Sequence, residues 1–144
     1  MRQFDSKEGL VAGSIGYMAP EITEGRTVVP GDVDAVIERL FENYEQDGDA
    51  TIRALAQEGR LPALAPLLAN GRAGHRAVTA ANFAPWLDAL PERQRAATLD
   101  ALVIATDVYT WKLLRRDIGR TEEQSKATVR MIVDAVLAQF SSPG

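Results

Sequence analysis

Arg72, His75 and Asp107 are the residues of this sequence whose types could do chemistry together. A guanidinium and an imidazole three residues apart share one side of a helix, and such a pair can read an anionic or carbonyl group. Asp107 sits inside the most apolar stretch of the chain, where its carboxylate could bind a cationic group or hold the histidine. Equally, Asp107 could lie at the edge of a helix bundle between two copies of the chain and face water, and His75 could be a core histidine satisfied by hydrogen bonds. Catalysis has little else to draw on: there is one histidine, no cysteine and no serine set of the hydrolase kind. The expectation is a binding protein and not an enzyme, with no catalytic residue, no metal site and no cofactor.

The elements that must position these groups read as helices throughout. A helix is expected from near Pro66 to about Phe83, ahead of Pro85, because proline suits a helix start and the residue before a proline avoids helical geometry. Leu68, Arg72, His75, Thr79, Asn82, Phe83 and Trp86 fall roughly on one side of it, alternating apolar and hydrogen-bonding groups. An unpartnered polar group in a core costs about 1–3 kcal/mol, so this face suits a cavity wall better than a core. The expected lining is Phe41, Tyr44, Leu55, Leu68, Arg72, His75, Thr79, Phe83, Trp86 and Asp107, around a small planar or amphiphilic effector. An ordinary core with a few internally satisfied polar groups is the alternative.

Upstream, Asp32 can cap a helix on which Val33, Val36, Ile37, Leu40, Phe41 and Tyr44 recur at helical spacing. Asp47-Gly48-Asp49 is expected to break it, with Asp49 capping a short helix that carries Ile52, Leu55 and Ala56 and ends at Gly59. Downstream, Leu99 to Asp117 reads as one long helix, apolar on two faces. Leu99, Leu102, Val103, Thr106 and Leu113 fall on one, Ala101, Ile104, Ala105, Val108 and Trp111 on the other. Ile118-Gly119 ends it, and Thr121-Glu122-Glu123-Gln124 is a capping box that opens the last helix. A helix apolar on two faces must be buried twice, once by its own chain and once by something else. The expected second partner is another copy of the chain, so that the last two long helices form half of a four-helix dimer bundle. Its interface is expected at Ile104, Val108, Trp111, Val129, Val133, Val136 and Phe140, with Tyr109 as further aromatic packing.

The composition suits one all-α domain: 144 residues, 46% hydrophobic, with no strand alternation. A net charge of −4 argues against the whole chain as a nucleic-acid binder. The longest apolar runs are far too short to span a membrane, and the amino end has no signal-peptide pattern. A cytoplasmic protein with no membrane partner is expected.

Three stretches resemble the TetR/AcrR family of transcription regulators. RQFDSKEGL, Arg2 to Leu10, is similar to the junction between that family's recognition helix and its connecting helix. GRAGHRAV, Gly71 to Val78, is similar to the pocket helix of one large branch. ALVIATDVYTWKLLRRDIGRTEEQ and the helix after it to Phe140 resemble that branch's dimerising helix pair. The resemblance implies a TetR-like carboxyl-terminal helical domain, a homodimer, a small-molecule effector of unspecified identity, and a DNA operator contacted only through an intact head. Ser6 and Lys7 would then touch the DNA backbone, which positions without specifying sequence. The family places about three helices ahead of this junction, and no helix-turn-helix can be built from Met1-Arg2-Gln3-Phe4-Asp5. Residues 1–26 are therefore expected to be a remnant of the junction and connecting helix, frayed, displaced or packed on a neighbour. Residues 27–144 are expected to form the effector-binding and dimerisation domain. A headless interaction or decoy protein that forms mixed dimers with an intact regulator is the alternative.

Overall fold

Asp32 accepts the Ala35 amide hydrogen at 3.0 Å, the helix cap its position predicts. The computed structural model describes residues 25–139. Among them are six α-helical segments, one π-helical turn and no strand. They are α1 (Val33–Gln57), α2 (Leu64–Asn82), α3 (Ala84–Leu87), α4 (Glu92–Ala105), α5 (Val108–Lys112), the π turn Leu113–Ile118, and α6 (Glu122–Ala138). The fold is all-α, and among the described residues no helix is long and apolar enough to cross a membrane. The expectations for Met1 to Glu24, with Ser6 and Lys7, and for Phe140 lie outside the described residues.

α1 is the axis on which α2, α5 and α6 pack. Its predicted inward residues, Val33 through Tyr44, are all buried. The predicted break at Asp47-Gly48-Asp49 does not occur, and α1 runs on to Gln57. Tertiary packing overrides the glycine: a Cβ at Gly48 would stand 2.6 Å from the Trp111 ring. Gly48 is therefore the groove that admits the indole, and the cost of an interior glycine, about 1 kcal/mol, is offset by burying a tryptophan that is 1% exposed.

The long helix expected over Leu99 to Asp117 is divided. α4 ends at Ala105 and α5 starts at Val108, with Asp107 extended at φ −77° and ψ 156°. Three side chains make the break. Thr106 Oγ1 donates to the Leu102 carbonyl at 2.7 Å. Asp107 accepts the Tyr109 amide hydrogen at 2.9 Å. The Thr106 carbonyl, freed from helical pairing, accepts the Tyr44 hydroxyl at 2.9 Å. Asp107 is a cap in the middle of an apolar run, the competition with helix that short polar side chains offer.

With this break and the π turn after it, Leu102 and Thr106 of one expected face and Ala105, Val108 and Trp111 of the other are buried in the same chain, while Leu113 is 50% exposed. Val108, Trp111, Val129 and Val133 lie in the chain's own core, so the expectation that they meet a second copy is corrected. Of that set, Ile104 is exposed at 66% and Val136 is partly buried. The π turn is tied to α1 by charge. Arg115 makes two hydrogen bonds to the Glu45 carboxylate, at 2.7 and 2.9 Å, and Trp111 Nε1 donates to the same group at 2.7 Å. Arg116 pairs with Asp49 and lies 4.8 Å over the Trp111 ring. These bonds, that to Arg115 foremost, hold the Glu45 carboxyl below its ordinary pKa. Gly119 then takes the left-handed conformation, φ 82°. The predicted capping box is complete, Gln124 N to Thr121 Oγ1 and Thr121 N to Gln124 Oε1 both at 3.0 Å.

Candidate functional site

α2 carries the mixed face, and its polar side chains go to three places. Thr79 Oγ1 turns inward to the His75 carbonyl at 2.7 Å. Asn82 grips the segment entering α1, donating to the Arg26 carbonyl and accepting the Val28 amide hydrogen, each at 3.1 Å. Arg72 pairs with Glu58 through both terminal nitrogens.

His75 is 4% exposed, and both ring nitrogens are engaged. Arg26 Nη2 lies 2.6 Å from Nδ1, so Nδ1 is the acceptor and the proton resides on Nε2, which faces the Val103 carbonyl at 3.2 Å and Thr106 Oγ1 at 3.3 Å. The ring is neutral, with its pKa pushed down to about 4 by burial and then by the Arg26 charge, against the opposing pull of the Val103 carbonyl. Asp107 does not hold the histidine. It caps α5, and burial raises its carboxyl pKa, opposed by the Tyr109 amide and by the charges of Arg26 and Arg72.

Beside this network is a cleft of about 230 Å³ bounded by Leu55 of α1, Arg72, His75 and Arg76 of α2, Val103 of α4, Asp107, and Val108 and Tyr109 of α5. Leu55, Arg72, His75 and Asp107 thus come together as expected. Phe41, Tyr44, Leu68, Thr79 and Phe83 do not line it: they are buried, Phe41 and Tyr44 on α1, against which α2, α5 and α6 pack, and Leu68 and Thr79 on α2, which packs on α1 and α4. Trp86 packs on Phe83 and faces a separate, open depression with Gly31, Asp34 and Arg130.

Arg26, Arg76, Val103 and Tyr109 belong to the site or its support and were missed as such. Arg76 had a signal, one helical turn from Arg72 on the same face. Arg26 had none, since its partner is 49 residues away. Comparison of the chain with protein-family profiles, curated proteins and solved structures gave no match. The class that fold and site define is an all-α protein with a small, polar-anchored cleft.

Proposed function

We propose that this chain is the effector-binding and dimerisation part of a ligand-responsive regulator of the TetR type, acting as a homodimer. The observation that carries the reading is the outward face of α6. On a helical wheel the charged residues Glu122, Glu123, Lys126, Arg130 and Asp134 gather on one flank, where Lys126 pairs with Glu38 and Arg130 with Asp34 of α1. The opposite, solvent-facing arc holds Ala127, Met131, Ile132, Ala135 and Ala138, with Gln124 and Thr128 among them and no charge, and Met131 is 69% exposed. Exposed apolar side chains without charge among them suit a partner, and the three alanines would let a second helix approach closely.

The cleft supplies the effector site of this reading. Its wall includes the α4–α5 break, so a ligand that favours one arrangement of that break shifts the protein toward it. Arg26 donates from behind that wall to His75. Operator contact, by Ser6 and Lys7, enters only through the family resemblance.

Light scattering on the purified chain and on an Ile104→Glu, Met131→Glu double variant tests the assembly. A wild-type dimer that becomes a folded monomer on substitution supports the reading. A wild-type monomer removes it.

A further inference from the structure

We infer that the cleft takes a small organic anion, of the size and chemistry of a one-ring carboxylate; this rests on the reading of the cleft as an effector site. Its ~230 Å³ would hold about eight water molecules at ~30 Å³ each, and lies below the ~300 Å³ at which pockets for larger ligands begin. Leu55, Val103 and Val108 give it apolar walls, and Tyr109, exposed, offers a ring edge or face.

The charges favour an anion. Arg72 and Arg76 stand one helical turn apart on the wall. Arg76 gives Asp100 one hydrogen bond, at 2.7 Å, out of the five N–H groups a guanidinium carries. Behind His75 lies Arg26, 7% exposed, set against a neutral imidazole and 5.6 Å over the Tyr44 ring. Among the described residues no carboxylate is within ion-pair distance of it. Among the described residues the partners of Arg26 are neutral, the His75 ring and the Tyr44 face, so its charge stands behind the inner end of the cleft in surroundings that screen poorly. The one carboxylate on the wall, Asp107, already caps α5 and already feels Arg26 and Arg72. The wall itself carries two guanidinium groups, Arg72 and Arg76, whose carboxylate partners Glu58 and Asp100 lie outside the lining, and one aspartate, with the Arg26 charge behind His75. His75 contributes its ring and no hydrogen bond, because both nitrogens are taken.

The test is a titration of the ¹⁵N-labelled full chain with benzoate, benzamide and benzylammonium, followed at the amides of Val103, Val108 and Tyr109. Benzoate is expected to shift these amides and to bind about tenfold or more tighter than benzamide. Arg76→Gln should weaken benzoate about tenfold while leaving benzamide within about twofold. If benzamide or benzylammonium binds at these amides as tightly as benzoate, the anionic class is overturned while the cleft stands as a binding site. That comparison uses the wild-type chain and is independent of any variant's folding. If none of the three moves these amides by about 10 mM, the effector-site reading fails and this inference with it.

Discussion

Acidification should act on this protein through its single histidine. In the fold His75 is neutral with a pKa near 4, against an ordinary value of 6.5. Between these values the unfolded chain binds a proton that the folded chain does not, so stability rises with pH there and is lost as pH falls from 6.5 toward 4. The gap corresponds to about 3 kcal/mol in full. About 1 kcal/mol of it is gone by pH ~5.5 and most by pH ~4. Urea unfolding of an untagged chain, followed by circular dichroism at a series of pH values, measures the loss by linear extrapolation. His75→Gln is the control: its own stability is lower at pH 7 because the Arg26 and Val103 contacts change, but its curve should lack this acid limb. Carboxylates contribute to both proteins and cancel in the difference. Glu45, Asp49 and Glu58, held low by arginine, lose stability as pH falls, and Asp107, raised by burial, acts with the opposite sign. Because the chain has one histidine, its ring proton in an NMR titration gives the pKa directly. A folded-state value at or above 6.5, or parallel pH curves for the two proteins, refutes the buried, Arg26-bonded ring.

Other substitutions probe the break and the packing around it. Gly48→Ala forces a Cβ against the Trp111 ring; overpacking of about 1–3 kcal/mol should outweigh the helix-propensity gain of about 1 kcal/mol, seen as a lower urea midpoint. Tyr44→Phe leaves the buried Thr106 carbonyl without its hydroxyl partner and should cost about 1–2 kcal/mol in the same assay. Asp107→Ala removes the α5 cap and should cost up to about 1–2 kcal/mol, with Asp107→Asn, which keeps a capping oxygen, closer to wild type. If the alanine and asparagine variants are equally stable and hydrogen exchange at Tyr109 is unchanged, the cap is not what organises the break.

The local signals of this chain were sufficient for helix content and for several boundaries. Asp32, the Thr121 box and Gly119 act within a few residues of themselves, so their roles follow from sequence alone. The apolar periodicity from Val33 to Tyr44 likewise names a buried face before any partner is known. What followed from distant contacts was not legible. Gly48 looks like a helix breaker until Trp111, 63 positions along the numbering, fills the space its missing Cβ leaves. Thr106 and Asp107 look like part of a continuous helix until the Tyr44 hydroxyl claims a carbonyl. Because that break bends the chain, Val108 and Trp111 turn into the chain's own core, whereas a straight helix would have presented them outward. The candidate site divides the same way. Arg72, His75 and Asp107 were visible by type and spacing, while Arg26 was not. A buried guanidinium is identified by what surrounds it in three dimensions, and its histidine partner lies on α2, which the chain reaches only after the whole length of α1.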